Sequence, residues 1–241
     1  MQVLARAGAI LRAVAGSPTG LSLAELAREV GVPRSSAHRI VRALERERLL
    51  AVTADGRVRV GAGVGALAAA RSDAIREALH SLLAELRGEL GETVDLSVLD
   101  GAGARFVDQI PAPHRLRAVS AVGEVFPLHC TANGKALLAA LPPAEVESLL
   151  PARLERRTPA TITGRAALLA ELERVREQGV AFDREEHTEG ISAVAAAVVE
   201  ASLPVAAISV PAPTARFERE SARYARRVRA AASRASARLA A

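Results

Sequence analysis

The sequence predicts an α+β protein: an N-terminal winged helix-turn-helix, a helical linker, and a larger, mainly antiparallel α+β domain with a six-stranded sheet. Three observations support this prediction. Three short amphipathic helices open the chain, and a hairpin pattern follows them. Strand and helix patterns then alternate without an internal repeat, and the excess positive charge lies in the first third. We expect a winged domain at 1–61, a linker at 62–74 and the second domain at 75–241.

The first three helices are predicted from apolar spacing and from end signals. The first helix occupies 2–15, and the second begins at Ser22, whose spacing from Glu25 is that of a capping box. Gly31 ends the second helix, and the third runs from 34 to about 48. The predicted buried face of the third helix holds Ala37, Ile40, Val41 and Leu44.

The opposite side of the third helix is the candidate surface for DNA. Arginine can bond bidentately to guanine, and both arginine and serine bind phosphates. The alternative is a solvated charged face, which is the commoner meaning of such a stripe. The candidate DNA-contacting residues of this helix are Arg34, Ser35, Ser36, His38, Arg39, Arg42 and Arg46.

A basic hairpin is predicted directly after the third helix. Asp55-Gly56 separates two short alternating runs, which is a strong signal for a tight hairpin. Arg57 and Arg59 share one face of the second strand, because side chains alternate along a strand. A basic hairpin in this place is typical of a wing that contacts phosphates or a minor groove. Arg57 and Arg59 therefore complete the candidate DNA-binding set.

The charge distribution favours a nucleic-acid partner for the first domain. Residues 1–71 hold eleven arginines and five acidic residues, a net charge of +6, whereas residues 72–241 carry −1. A compositional preference for arginine is the alternative, since 31 of the 32 basic residues are Arg. That preference explains arginine instead of lysine, but it does not explain the imbalance between the two segments.

Several classes of protein are excluded by simple counts. The longest uncharged apolar stretches, 60–70 and 191–199, are shorter than the roughly 20 residues that cross a bilayer. The N-terminus lacks the apolar region and cleavage site of a signal peptide, so we expect a cytoplasmic protein with no membrane partner. The single cysteine, Cys130, excludes an intramolecular disulfide and a cysteine-rich zinc site. We predict no cofactor and no metal site.

The remainder of the chain shows helical and strand patterns in a mixed order. A small, uncharged helix at 62–70 leads into a second helix at 73–90. The predicted strands are 93–99, 104–110, 115–122, 180–184, 191–199 and 204–211. The predicted helices are 131–141, 143–150, 165–178 and 216–239. Hairpin connections early and late make the sheet mainly antiparallel.

The second domain contains no nucleophile elbow, P-loop or dinucleotide-binding motif, so no catalytic residue is predicted. Its most informative stretch surrounds a predicted N-cap at Thr131. The amides of Ala132, Asn133 and Gly134 would lie at the positive end of a helix and could bind a carboxylate. Lys135, the chain's only lysine, indicates a site that fits a compact ammonium. The alternative is a helix start that only packs.

A second polar cluster lies at 183–187. Its carboxylates and histidine could bind a metal, but Asp183 and Glu185 are predicted to share one strand face while His187 lies beyond the strand end. A solvated strand end, with Asp183 alone turned toward a pocket, is therefore the preferred interpretation.

Nine short segments, in this order and spacing, resemble one known family. They are 21–27, 35–39, 91–94, 127–129, 134–136, 161–163, 179–183, 185–186 and 208–210. Singly these segments are weak signals, but together they are specific. They resemble the IclR family of bacterial transcriptional regulators over nearly the whole chain.

The resemblance implies a homodimer, often paired into a tetramer, that binds a palindromic double-stranded DNA operator and responds to a small organic acid or aromatic effector. It also implies that the second domain is a GAF/PAS-like effector domain. An enzyme with a DNA-binding appendage and an architectural DNA-binding protein are the alternatives. An enzyme would need a nucleophile and a base at a suitable spacing, and the sequence has none. An architectural DNA-binding protein would not need the large neutral second domain.

The resemblance also indicates an effector pocket, with backbone at Ala132 and Asn133 and the side chains of Asp183 and Ser209. Three positions depart from the family, and one of them is Ala197, which stands where the family often has Pro. Ala193 stands where the family often has Cys, and Pro211 where it often has Ser. The pocket is then less polar, which favours a larger or aromatic acid. With Gly134, the candidate effector residues are Ala132, Asn133, Asp183, Ala193, Ser209 and Pro211.

Overall fold

The structure is a computed structural model that describes residues 2–240, with the backbone alone at Gln2. Met1 and Ala241, the outermost residues of the two predicted domains, lie outside the described residues. Contacts within the chain divide it into two compact units, with the division between Arg71 and Ser72.

The first unit is a winged helix-turn-helix, as predicted. Its helices are α1 (Gln2–Ala15), α2 (Leu23–Val30) and α3 (Arg34–Arg46), and its strands are β1 (Leu21–Ser22), β2 (Leu50–Val52) and β3 (Arg57–Val60). The strands form an antiparallel sheet in the order β1-β3-β2. The two-residue strand β1 was not predicted because it is too short to show alternation. Helix α3 ends two residues before the predicted end, and Arg48 then adopts a left-handed backbone with φ of 61°.

The predicted capping box positions α2. The Ser22 amide donates to Glu25 Oε2 at 2.8 Å, and the Glu25 amide donates to Ser22 Oγ at 3.3 Å. Gly31 ends α2 in the left-handed region, with φ of 67°. The core of this unit consists of Ile10, Val14, Leu26, Ile40, Val41, Leu50 and Val58. The buried stripe of α3 therefore faces inward as the sequence indicates, which turns its arginines outward.

The predicted linker at 62–74 is not a separate helix. One helix, α4 (Ala62–Leu90), replaces the two predicted helices at 62–70 and 73–90. No proline interrupts this segment, and Ser72-Asp73 is tolerated within a helix. The buried residues of α4 begin at Ile75 and continue to Leu90. Only that later part of the helix packs in a core.

The second unit holds a six-stranded antiparallel sheet, as predicted. Its strands are β4 (Val94–Asp100), β5 (Gly103–Ile110), β6 (Val125–Pro127), β7 (Ala181–Arg184), β8 (Ile191–Glu200) and β9 (Leu203–Pro213). Its other helices are α5 (Ala132–Ala139), α6 (Pro143–Leu149), α7 (Arg165–Gln178) and α8 (Thr214–Leu239). The strand order is β6-β5-β4-β9-β8-β7, and every neighbouring pair is antiparallel.

The predicted strand at 115–122 is wrong, and β6 is the edge strand instead. The segment between β5 and β6 is an irregular loop that begins with two prolines within three residues. Its alternating pattern arises because Ala118 and Ser120 are buried. The Ala118 carbonyl accepts from Thr93 Oγ1 at 2.8 Å, and Ser120 Oγ donates to Asp95 Oδ2 at 2.9 Å. These side-chain bonds hold the loop without strand pairing.

The two faces of the sheet differ in side-chain size. Large residues such as Val194, Ile208 and Val210 pack with α4 and α8, whereas small residues such as Ala193 and Ala195 face α5 and α7. Because alanine fills little volume, the α5 side of the sheet can leave space for a cavity. No helix within residues 2–240 is both long and apolar enough to cross a membrane.

Candidate ligand cavity and nucleic-acid interface

The exposed side of α3 carries the predicted DNA-contacting residues. Six of them are exposed and Ser36 is half-buried; the exposed six are Arg34, Ser35, His38, Arg39, Arg42 and Arg46. Arg42 Nη1 donates to Glu45 Oε2 at 2.7 Å. Arg39 has no ion pair or side-chain hydrogen bond within the described chain. The two arginines therefore differ, because Arg42 has to leave a carboxylate before it can bind a base.

The two wing arginines also differ. Arg57 is half-buried: its Nη2 donates to the Gly20 carbonyl at 2.7 Å and lies 3.7 Å from Glu25 Oε2. Arg59 is exposed and makes one long bond, from Nε to the Thr19 carbonyl at 3.3 Å. Both arginines remain candidate DNA contacts, but they differ in their partners within the chain. Arg57 joins the wing to the turn before α2, and Arg59 is the more available cation.

The second unit contains a cavity of about 400 Å³ on the α5 side of the sheet. We call it the α5 cavity. Six of the seven predicted effector residues line it, namely Ala132, Asn133, Asp183, Ala193, Ser209 and Pro211. Further lining residues include Asp95, Phe106, Arg117, Ser120, Phe126, Thr131, His187 and Ile191.

Strand register brings these residues together from distant parts of the chain. Asp183 on β7 lies opposite Ala193 on β8, which lies opposite Pro211 on β9. Two residues along β9, Ser209 lies opposite Asp95 on β4. Because residues i and i+2 of a strand share a face, four strands contribute to one wall of the cavity.

The start of α5 forms another part of the wall. Thr131 is the N-cap, as predicted, and its Oγ1 accepts from the Gly134 amide at 3.2 Å. The Ala132 and Asn133 amides have no acceptor among the described residues, so they can donate to a ligand. Gly134 does not line the cavity, contrary to the prediction. A Cβ there would lie 2.5 Å from the Leu128 backbone, so glycine instead allows α5 to pack closely against that segment.

Asp183 lies at the end of β7 and is buried. Its Oδ1 accepts from the amides of Glu186, at 2.7 Å, and His187, at 3.4 Å. Burial raises the pKa of the Asp183 carboxyl to about 7. The predicted strand face shared with Glu185 is wrong, because β7 ends at Arg184 and Glu185 is left-handed with φ of 60°. Within residues 2–240, no group of three or more histidine, cysteine, aspartate or glutamate side chains is arranged to hold a metal.

Sequence reasoning missed Asp95, which lies on the central strand β4 and is 1% exposed. Its Oδ1 accepts from Gln109 Nε2 at 2.7 Å, and its Oδ2 accepts from Ser120 Oγ at 2.9 Å. Burial, with a smaller effect of the Asp108 charge, raises the pKa of Asp95 to about 7. The available signal was a carboxylate within an apolar strand pattern, since such residues are seldom fully buried without a role or a partner.

An aromatic group, also missed, borders the same cavity. Phe106 and Phe126 meet edge to face with ring centroids 4.9 Å apart, and His187 stacks on Phe126 at 4.3 Å. Burial lowers the pKa of His187, which favours the neutral imidazole. Phe106 and Phe126 lie on β5 and β6, so their approach depends on the sheet order.

Lys135 follows the cavity-lining start of α5 but faces away from the cavity. Its ammonium is fully buried, and its Nζ donates to Glu186 Oε1 at 2.5 Å. Glu171 Oε1 is 3.8 Å from the same Nζ. The predicted preference for a compact ammonium is thus met by a structural ion pair. Nearby, burial raises the pKa of Cys130 to about 12, so its thiol is a poor nucleophile.

Family comparisons match both parts of the chain. The family described as "Bacterial transcriptional regulator IclR C-terminal" matches residues 67–237. The family described as "IclR helix-turn-helix domain" matches residues 3–53. The winged unit and the cavity-bearing unit thus belong to two domains known from one kind of regulator.

Individual proteins agree with these matches. An HTH-type transcriptional regulator of Mycobacterium tuberculosis is 52% identical, over 90% of this chain and 84% of that protein. The transcriptional repressor IclR of Escherichia coli is 32% identical, over 90% of this chain and 82% of that protein. Both relatives are named as transcription factors and neither as an enzyme.

Solved structures show the same fold. The crystal structure of Thermotoga maritima IclR has a TM-score of 0.68 and 28% identity, and covers 100% of both chains. An IclR homologue of Microbacterium hydrocarbonoxydans in complex with 4-hydroxybenzoate has a TM-score of 0.65 and 22% identity, over 98% of both chains. With both domains matched in order, the chain belongs to the IclR family of bacterial transcriptional regulators.

Proposed function

We propose that this regulator is a homodimer that represses transcription from a palindromic operator and releases it when an aromatic or other organic acid occupies the α5 cavity. A cytoplasmic location belongs to the same proposal, because a bacterial operator lies in the cytoplasm. The observation that carries the effector role is the cavity of about 400 Å³, whose wall combines unpartnered polar groups with aromatic rings. Such a cavity suits a small molecule better than a macromolecule.

Polar groups of the cavity indicate how an acid would bind. The Ala132 and Asn133 amides can donate to a carboxylate at the start of α5. Ser209 is 3% exposed, and its hydroxyl has no hydrogen-bond partner in the described part of the chain, so it is available to a ligand. The second oxygen of Asp183 can accept from a ligand hydroxyl. The 4-hydroxybenzoate held by the Microbacterium homologue has both a carboxylate and a hydroxyl.

The first unit supports a dimer. Val3 and Leu4 on α1 are 61% and 81% exposed, and Leu67 on the first part of α4 is 64% exposed. Exposed large apolar side chains on helices are typical of an interface. A twofold dimer would present two copies of α3 to half-sites about one DNA turn apart, which is why the operator is proposed to be palindromic. Pairing of two dimers into a tetramer is part of the same proposal.

The effector role is tested by operator binding with and without a candidate ligand. A DNA fragment is first selected by affinity from the genomic region that flanks the regulator's own coding sequence. Thermal-shift measurements with organic acids, including 4-hydroxybenzoate, then identify a ligand that does not turn over. That ligand should weaken operator binding by wild type and have less effect on Asp183→Ala, whose operator affinity without ligand should be unchanged. An unchanged dose curve for Asp183→Ala would show that the cavity is assigned wrongly.

The oligomeric state is tested separately by analytical ultracentrifugation. Replacing the exposed Leu67 with Glu should lower the mass toward that of a monomer and weaken binding to a full palindrome more than to a half-site. Leu203→Glu is the control, because Leu203 is a similarly exposed leucine in the second unit. Equal masses for wild type and Leu67→Glu would contradict the proposed interface.

A further inference from the structure

Two buried carboxyl groups on different strands line the α5 cavity. Asp183 is on β7 and Asp95 is on β4, which are three steps apart in the order β4-β9-β8-β7. At roughly 4.8 Å per step, their Cα atoms are about 14 Å apart when the distance is followed along the sheet. The sheet curls around the cavity, since Phe126 on the edge strand β6 stacks on His187, which follows the opposite edge strand β7. A ligand that contacts both carboxyl groups therefore has to reach across the cavity from β7 to β4.

None of the residues that line the cavity is a buried cation. Among its lining residues, Arg117 is the one arginine or lysine, and it is exposed with its Nη1 on the His114 carbonyl at 3.1 Å. The lowered pKa of His187 keeps that ring largely neutral. A ligand carboxylate placed against Asp95 would therefore meet a like charge or require an extra proton.

The Asp95 carboxyl group can accept further hydrogen bonds. Gln109 and Ser120 each occupy one position on its two oxygens, which leaves a second lone pair on each oxygen. Ser209 lies directly across the β4–β9 pair and lines the cavity, and its hydroxyl has no partner among residues 2–240. This unpartnered hydroxyl is an independent sign that a polar group of a ligand belongs beside Asp95.

We infer that the effector is an elongated molecule with a hydrogen-bond donor at each end, one for Asp183 and one for Asp95, and that Asp95 determines specificity by excluding ligands with a carboxylate at that end. The inference rests on the proposed function, because it takes the α5 cavity as the effector site. A carboxylate elsewhere on the ligand is compatible with it, since the amides of Ala132 and Asn133 can bind one. A six-membered ring with substituents on opposite sides presents two donors in this way.

The inference is tested with the full-length protein and four probes that share a para-substituted benzene ring. Terephthalyl alcohol has a donor at both ends, its dimethyl ether has none, and terephthalate has a carboxylate at both ends. The fourth probe, para-(hydroxymethyl)benzoate, has one donor and one carboxylate. By isothermal titration calorimetry, the dialcohol should bind at least about tenfold more tightly than the ether or terephthalate.

The substitution Asp95→Asn keeps the size of the side chain and removes its charge. It should strengthen terephthalate binding at least about fivefold relative to the dialcohol, because the like-charge contact is gone. Asp108→Asn is the matched control: Asp108 is a buried carboxyl on the neighbouring strand that binds His80 at 2.7 Å and does not line the cavity. It should leave the ranking of the probes unchanged.

Three results would overturn the inference. They are equal binding of the dialcohol and terephthalate to wild type, no binding of the dialcohol, and the same probe ranking for Asp95→Asn and Asp108→Asn. The wild-type ranking does not depend on any variant folding. If para-(hydroxymethyl)benzoate binds in a way that needs Asp183 and not Asp95, the proposed function stands and this inference fails. If an effector acts and Asp183→Ala responds normally, the proposed function itself fails.

Discussion

Lys135 is the chain's one lysine, and its ammonium is completely buried beside the cavity wall. It binds Glu186, whose amide in turn donates to Asp183. The other carboxylate oxygen, Glu186 Oε2, is buried without a partner in the described chain. The pair thus joins α5 to the loop after β7, and it holds the two segments that contribute Ala132 and Asp183 to the cavity.

Removing one partner of this pair should be costly. Lys135→Met leaves the Glu186 charge buried and unpaired, so the free energy of unfolding should fall by about 3–5 kcal/mol in urea titrations. The double variant Lys135→Met/Glu186→Leu should recover part of this loss. Arg234→Met, which breaks an exposed pair with Glu85, is the control and should cost at most about 1 kcal/mol. A loss for Lys135→Met no larger than this control would contradict the structural role.

A second residue-level prediction separates two neighbouring arginines of α3. Arg39 has no intramolecular partner in the described structure, whereas Arg42 is paired with Glu45. Arg39→Ala should therefore reduce operator affinity by about 1–3 kcal/mol if Arg39 reads a base, and Arg42→Ala should cost less. Electrophoretic mobility-shift titrations measure both values. If both variants bind as wild type does, α3 does not enter the groove.

At the level of elements, the wing is attached to the turn before α2 as well as to β2. Arg57 donates to the Thr19 and Gly20 carbonyls, and β3 pairs with both β1 and β2. Gly20 is left-handed with φ of 76°, and a Cβ there would lie 2.7 Å from the Val58 carbonyl oxygen. The turn therefore packs closely against β3, and the wing is held by β1 and this turn on one side and by β2 on the other.

Replacing the two wing arginines should affect different properties, namely DNA affinity for Arg59 and stability for Arg57. Arg59→Ala should weaken binding to all DNA sequences about equally and lower the salt slope by about 0.9 for the lost phosphate contact. Arg57→Ala should instead lower the stability of the winged unit, because two carbonyls lose a charged donor. Salt-dependent fluorescence anisotropy and thermal unfolding distinguish the two effects. A sequence-selective loss for Arg59→Ala would mean that the wing reads bases.

At the scale of the whole molecule, the two cavity carboxyls link stability to pH. The pKa values of Asp95 and Asp183 are raised from 3.8 to about 7 in the folded chain. The folded state therefore holds more protons than the unfolded state between these values, and the free energy of unfolding should fall as pH rises from about 4 to about 7. The groups around them are Asp108, Glu186, Lys135, Cys130 and His187.

The midpoint of thermal unfolding of the protein without ligand should accordingly be higher near about pH 5 than near about pH 8. Asp95→Asn/Asp183→Asn should flatten this dependence, because neither side chain can then titrate. The lowered pKa of His187 acts in the other direction at acid pH, so His187→Gln should steepen it. A double variant whose stability varies with pH as in wild type would show that these carboxyls are ionised in the fold.

Much of the local structure and the class of protein could be predicted from the sequence. Ser22, Glu25 and Gly31 set the ends of α2 through bonds within a few residues, and apolar spacing oriented α3 with Arg39 outward. The ordered family segments indicated a regulator with an effector pocket. These features depend on residues that are close in sequence or on a pattern that repeats along the chain. They can therefore be predicted from the sequence.

Some contacts depend on strand register and on packing between distant segments. These contacts could not be predicted from the sequence and are seen in the fold. Asp95 lines the cavity because β4 pairs with β9 opposite Ser209, and no local pattern specifies that pairing. The segment at 115–122 looked like a strand, because a loop with one buried face has the same alternation. Lys135 looked like a ligand group until the fold placed it against Glu186, 51 residues away. The partner of each of these side chains lies far away in the sequence. The sequence indicates that a buried polar side chain needs a partner, but it does not identify that partner.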